Sequence, residues 1–131
     1  MPTNSFGFEE LEVWKKACTL KLEISATAKS FSAEEKFRLV DQITRSSRSL
    51  GTLIAEGHGR FSYPDQIHFC VQARGSLTET INHLIDSRDE NYISESILED
   101  YRIKYKELER MLNGYITYLR AQKDLKSSKP A

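Results

Sequence analysis

Cysteine, proline, histidine and excess charge are all scarce in this chain of 131 residues. Its two cysteines, Cys18 and Cys70, are too few for a disulfide framework and lack CxxC spacing. Both fall within apolar helical faces, which reads as buried free thiols in a reducing compartment. With three prolines and six glycines, long uninterrupted helices are expected. The formal net charge is zero, from 19 basic and 19 acidic side chains, whereas a charge-driven nucleic-acid binder would carry a basic excess. No apolar run approaches the length of about 18 residues that a membrane span needs. The N-terminus has no basic region leading into an apolar run. A membrane association and a signal peptide are therefore not expected, and the cytoplasm is the expected location.

Recognisable catalytic patterns are also missing. Glu79 and His83 stand four apart with no second such pair, so the Glu-x-x-His ligand sets of di-iron bundles are not present. A helical ribonuclease with an Arg-x4-His motif would need arginine five residues before a histidine. Leu53, Tyr63 and Thr78 occupy those positions. Gly57-x-Gly59 follows a helical pattern instead of opening one, so it is no phosphate loop. No nucleophile elbow occurs. The expectation is a non-enzyme with no catalytic residue, cofactor or metal, its three histidines lying at the surface or in interfaces.

What the chain does contain is helical periodicity. Residues 1–7 read as a polar lead-in, residues 8–122 as a four-helix bundle, and residues 123–131 as a flexible Lys/Ser-rich tail. Helix one is predicted from Phe8 to Ala28, with one stripe of Leu11, Trp14, Cys18, Leu22 and Ser25 and another of Val13, Ala17, Leu20 and Ile24. Two stripes make a face wider than a bundle uses, which favours self-association. Ser32-Ala-Glu-Glu35 matches a capping box before helix two, predicted over 33–56, with Phe31 placed to staple onto Lys36 or Phe37. Gly57 and Gly59 can supply a left-handed helix end. Ser62, Pro64 and Asp65 open helix three, which runs to about Asp89. Ser94-Glu-Ser96 opens helix four, whose Leu98, Tyr101, Tyr105, Leu108, Leu112, Tyr115 and Leu119 alternate three- and four-residue steps as in a knobs-into-holes seam. Four matched helices of about 20–28 residues with short connections predict an all-α, antiparallel, up-down-up-down bundle.

The stretch Gln42–Arg60 combines an apolar stripe of Ile43, Leu50 and Ile54 with small residues between. Folding helix one back on helix two places Trp14 over Ser46 and Ser47, large against small. Folding helix two on helix three brings Arg45 within reach of Glu79 for an ion pair.

The blocks Phe8-x-x-Leu11-x-Val13-Trp14, Gln42-x-x-Arg45-Ser-x-x-Ser49, Ile54-Ala-Glu-Gly-x-Gly-Arg60 and Ala73-Arg-Gly75-Ser-Leu-x-Glu79 together resemble the 23S rRNA-intervening sequence protein family of bacterial four-helix bundles. The likeness spans Phe8 to about Leu119. It implies a left-handed antiparallel bundle that assembles into rings, typically homopentamers. More distantly, it is similar to accessory proteins of diversity-generating retroelements, which act with a reverse transcriptase and nucleic acid. The family often carries asparagine where Leu53 stands and proline where Ser32 stands.

The resemblance thus implies a homo-oligomer, expected to be a pentamer, with RNA or a nucleic-acid enzyme as the further partner. Trp14, Arg45, Ser46, Ser47, Gly57, Gly75 and Glu79 are assigned structural roles. Arg48, Glu56, His58, Arg60, Lys123 and Lys126 are the candidate contacts to a partner or to nucleic acid, and Lys129 extends the tail cluster. In this arrangement His58, Arg60, His68, Arg120 and the tail lysines share one end of the bundle with Glu9, Glu10 and Glu12. Asp86, Asp89, Glu90, Glu95, Glu99 and Asp100 take the other. The expected function is that of an oligomeric interaction or scaffold protein, RNA-associated, or alternatively of a direct nucleic-acid-binding module.

Overall fold

A computed structural model describes residues 6–128 of the chain; residues 1–5 of the lead-in and Lys129 lie outside the described residues. Among the described residues there are four α-helices, two short 3₁₀ turns and no strand. The helices are α1 (Glu12–Ala28), α2 (Leu39–His58), α3 (Tyr63–Asp89) and α4 (Glu95–Ser128). The 3₁₀ turns are Gly7–Glu10 and Ala33–Glu35.

Side-chain caps place most of the boundaries. Ser62 Oγ accepts the Asp65 N–H at 3.3 Å, with Pro64 in the first turn of α3. That is the start the sequence predicts. Ser94 Oγ accepts the Ile97 N–H at 3.1 Å to open α4. Asn91 adopts φ 64° just past α3, turning the chain where a left-handed residue is needed.

Three boundaries differ from expectation. Leu11 is extended, at φ −72° and ψ 124°, so the helix expected from Phe8 is split into a 3₁₀ turn and α1. Helix two starts at Leu39 instead of Ala33, because Arg38 leaves helical geometry at φ −117° and ψ −100°. The capping box does not form: Ser32 makes no side-chain cap bond. Glu35 instead accepts the Leu39 N–H at 3.3 Å and, on its other oxygen, the Tyr92 hydroxyl at 3.3 Å. A carboxylate held by Tyr92 cannot also reach back to Ser32. Phe31 likewise stacks on Tyr92, 5.0 Å between centroids, and leaves Phe37 84% exposed with no staple. At the far end of the chain, α4 continues as helix through 123–128.

The glycines closing α2 also work differently from the prediction. No glycine among the described residues has positive φ, and Gly59 sits at φ −80° and ψ −4°. Gly57 is buried inside the helix, where an added Cβ would lie 2.9 Å from Phe69 Cβ and 3.3 Å from the Gln66 carbonyl oxygen. It is glycine because α3 is too close for a side chain.

Contacts along the helices show antiparallel neighbours. Ser46 and Thr80 hydroxyls are 2.9 Å apart, and Ser49 and Ser76 hydroxyls 3.2 Å, pairing α2 with α3. Arg74 donates to Asn113 at 2.8 Å and Thr78 meets Tyr105 at 3.3 Å, pairing α3 with α4. Thr27 bonds Tyr101 at 2.6 Å, Lys16 pairs with Glu107 at 3.2 Å, and Lys104 pairs with Glu23, closing α4 onto α1. In each case rising numbers on one helix meet falling numbers on the other. Each helix packs on its two neighbours and the diagonal pairs stay apart, so the molecule is an antiparallel four-helix bundle.

The core is apolar from all four helices. Ile24, Ile43, Leu50, Ile54, Leu77, Leu84, Leu98, Leu108 and Leu112 are sealed from solvent, each contributing roughly 1.5–3 kcal/mol of burial. On α4 the buried line passes through Ile116, while Tyr105 and Tyr115 are half-buried at its edges. Burial still pushes the Tyr115 phenol up to about 12. The helices hold 17, 20, 27 and 34 residues, so they are unequal, from roughly 26 to 51 Å long.

Two outcomes follow from this packing. Gly57→Ala forces α2 and α3 apart and lowers unfolding stability by about 1–3 kcal/mol. Gly75, whose Cβ would meet nothing within 4 Å, gains about 0.5–1 kcal/mol as alanine in the same urea titration. Equal losses at both positions would contradict the close approach. Separately, burial raises the Cys70 thiol from 9.0 to about 11. Above pH 9 the unfolded chain releases this proton before the folded one, so stability falls between pH 9.0 and about 11. Cys70→Val removes that part of the decline in alkaline unfolding curves.

Candidate functional site

The two stripes of α1 have different fates. Val13, Ala17, Leu20 and Ile24 are buried in the core. The other stripe lies along the seam with α2 and remains open: Leu11, Trp14 and Cys18 are half-buried and Leu22 is 64% exposed. Beside them α2 presents Ser47, Gly51 and Ala55. Small residues facing large ones leave a groove of about 440 Å³, with Phe8 at one end and Arg48 and Glu56 on its α2 rim. It continues as a recess of about 260 Å³ past Lys21, Leu22, Thr44 and Arg48.

Trp14 is held at the floor of this groove. Phe8 meets it edge-on at 5.4 Å, and Phe6 stacks on Phe8 at 5.8 Å. Trp14 Nε1 lies 3.8 Å from where a Gly51 Cβ would stand. The indole therefore packs over Gly51, with Ser47 in the same groove wall. Ser46 is not beneath it: its hydroxyl faces α3 and pairs with Thr80. The helical phase turns adjacent serines about 100° apart, Ser46 toward α3 and Ser47 toward α1, which fold-back counting alone does not resolve.

A second feature sits where the α2–α3 turn meets the end of α4. Phe61 is 95% exposed, with Lys126 Nζ 5.6 Å from its ring centroid. Arg60 lies 4.6 Å over the Phe69 ring. Gln66 Nε2 donates to the Arg60 carbonyl at 2.9 Å and fixes the turn. Phe61, Tyr63, Gln66, Gln122, Leu125 and Lys126 line an open recess of about 550 Å³.

The candidate contact residues thus divide into two groups. Arg48 and Glu56 are exposed on the α1/α2 groove. Arg60 and Lys126 are exposed at the other surface, with Lys123 half-buried on the same end of α4. His58 is exposed and packs against Gly7, whose Cβ would come within 2.9 Å of the imidazole Cε1. Among the residues given structural roles, Ser46, Ser47 and Gly57 are buried, and Gly75 faces open space.

Two electrostatic expectations change. Glu79 bonds His83 Nε2 at 3.1 Å, and Arg45 is exposed with no ion pair among the described residues. His83 itself is only 8% exposed, so it is a core-edge residue instead of a surface one. Its Nδ1 is buried without a partner. At the acidic end, Arg88 bridges Asp89 at 3.0 Å and Glu95 at 2.6 Å, and Arg102 pairs with Glu95 and Glu99. Hydrogen bonds from Arg88 and then Arg102 hold the Glu95 carboxyl below its usual range. These two arginines offset part of the charge expected at that end. The His83 burial had its signal in the neighbouring core positions Thr80, Leu84 and Ser87, and Arg88 in its place in the last turn of α3.

Among the described residues no group of three or more His, Cys, Asp or Glu side chains is placed to hold a metal ion. No helix there is long and apolar enough to cross a membrane.

The family model of the 23S rRNA-intervening sequence protein matches residues 9–114, and the chain belongs to that family. Its fold is similar to the crystal structure of a protein of unknown function from the S23 ribosomal protein family of Bacteroides thetaiotaomicron VPI-5482. The two are 27% identical with a TM-score of 0.72, over 79% of this chain and 97% of that one. No curated protein matches the chain.

The two thiols report on this geometry. Cys18 in the groove is expected to react with an aromatic disulfide reagent at pH 8 in the native protein, and Cys70, sealed and held protonated, only after denaturant is added. Two equivalents of native reaction would contradict the packing at Cys70.

Proposed function

We propose that this protein works without catalysis, as an oligomeric interaction or scaffold protein of the cytoplasm whose copies meet through the α1/α2 groove. The observation that carries the reading is the second α1 stripe. Trp14 packs on the core yet stays half-buried, Cys18 lies open beside it, and Leu22 stays 64% exposed next to small residues of α2. A contiguous apolar surface rimmed by charge favours a macromolecular contact. The family resemblance supports closure into a ring, with five copies as the expected number. The family's name, and the ribosomal label of its structural relative, support RNA or a nucleic-acid enzyme as the further partner.

Mass measurement in solution tests this. Wild type is expected to elute and scatter as a multiple of one chain at micromolar concentration. Leu22→Glu places a charge on the contact and raises the dissociation constant about tenfold or more while helical content stays unchanged. A strict monomer at micromolar concentration overturns the reading.

One observation favours direct nucleic-acid binding as a second reading. Lys126 and Arg60 stand beside aromatic rings at the α2–α3 turn, and Phe61 offers a nearly free ring face for a base. Lys123 would add a contact to phosphate there, and a strand long enough to cross the end of the bundle would also reach His58 and Arg48 on the α1/α2 side. Binding to structured RNA should then fall steeply with salt and weaken in Arg60→Ala or Arg48→Ala. No binding at low salt eliminates it.

A further inference from the structure

Lys21 and Arg48 line the same recess from the two sides of the α1/α2 seam, and neither has a carboxylate. Lys21 is half-buried and Arg48 exposed, with no ion pair for either among the described residues. No acidic residue stands three or four positions from either one on its own helix. Arg88, Arg102 and Lys104 are also half-buried, and each of them is held by a carboxylate. Two cations converging on one recess repel each other, and an anion between them relieves the repulsion.

The rest of the recess suits an anion. Its volume is about 260 Å³, and Ser25, Thr44, Ser47 and Leu22 complete its walls without an acidic side chain. Ser47 Oγ donates to the Thr44 carbonyl at 3.1 Å. The hydroxyls of Ser25 and Thr44 have no partner among the described residues, so both are free to donate. An ammonium, a guanidinium and two hydroxyls match the several acceptor oxygens of a phosphate.

The recess opens into the larger part of the groove, with Lys21, Ser47 and Arg48 common to both. There the walls become aromatic. The Trp14 indole lies half-buried over Gly51, and Phe8 meets it edge-on. Glu56 stands at the far end, just over two turns along α2 from Arg48, or about 12 Å. The space of about 440 Å³ therefore runs from a carboxylate, past a flat ring, to two cations.

We infer that the α1/α2 groove binds a nucleoside monophosphate, with the base on Trp14 and the phosphate in the recess between Lys21 and Arg48. Every base has a face that stacks on an aromatic ring, so Trp14 supplies attraction with little selectivity. Glu56 only accepts, which favours a base edge carrying an amino group. The inference goes beyond the self-association reading, because the ligand fills the interior of the groove and needs no second copy. A free nucleotide and the phosphate-bearing end of a strand both present this chemistry.

Trp14 is the one tryptophan of the chain, so its fluorescence reports on the groove alone. Excited beyond the adenine band at low salt, it is expected to be quenched saturably by AMP. AMP should also slow the reaction of Cys18, which lines the same space, with an aromatic disulfide reagent. Adenosine lacks the phosphate and inorganic phosphate lacks the ring, so each should bind about tenfold more weakly or worse. Arg48→Ala and Lys21→Met should each raise the AMP dissociation constant about tenfold, with circular dichroism unchanged. An oligoadenylate with a terminal phosphate that binds about tenfold tighter than AMP identifies the strand end as the source, and equal or weaker binding identifies the free nucleotide. No saturable quenching by AMP overturns the inference. Adenosine binding as tightly as AMP, or variants that bind AMP like wild type, overturns the recess as the phosphate site. Particle mass in the same solutions keeps the two readings apart. A strict monomer that binds AMP overturns self-association alone, and an oligomer that does not bind it overturns the nucleotide site alone.

Discussion

Helices α2 and α3 approach so closely at one point that no side chain fits between them, and the rest of the bundle is arranged around that approach. At Gly57 the Cβ of Phe69 occupies the place where a side chain would begin. Further along the same seam hydroxyls meet, Ser49 with Ser76 and Ser46 with Thr80. Small polar groups can sit in this interior because each finds a partner, which avoids the cost of a buried unpaired hydroxyl. The close seam sets the turn at residues 59–62, and that turn presents Phe61 to solvent. It also directs the other small residues of α2, Ser47, Gly51 and Ala55, toward α1, where they form the wall of the groove. One helix thus uses small residues for two purposes: approach on one side and an open surface on the other.

Aromatic residues perform the corresponding task at the opposite end. Tyr92 ties the α3–α4 connection to the start of α2 through Glu35 and Phe31. The result is a bundle whose connections are anchored across the molecule and not by local capping alone. That long-range tie explains why a sequence with the form of a capping box does not make one. Local hydrogen-bonding preferences are worth about 1 kcal/mol, and a stacked ring with a shared carboxylate outweighs them.

Much of the architecture was legible in the chain because it depends on period. Leu98, Tyr101, Leu108, Leu112 and Leu119 of α4 and the Ser62–Asp65 start appear where the pattern places them. What period cannot resolve is phase. Ser46 and Ser47 are neighbours in sequence yet face different helices, α3 and α1, and Ile116 takes the buried place that strict alternation assigned to Tyr115. The Arg45–Glu79 pair failed for a related reason: Glu79 had a nearer partner on its own helix in His83. The groove itself was visible as a surplus of apolar positions on α1. The Phe61 surface was not, because one exposed ring in a turn leaves no periodic trace.

Helix α4, at 34 residues, outlasts its partners, α1 being half as long. Past Leu119 its exposed final turns gain little from the core, and in the described residues Lys126 over Phe61 is one of the few ties that remain. Such a segment belongs to the least stable part of a protein, where backbone hydrogen bonds open without unfolding the whole. The end of α4 is therefore the place where the molecule would register an occupant as order: amide exchange there would slow once a neighbour covered it, with the buried centre of the bundle unmoved.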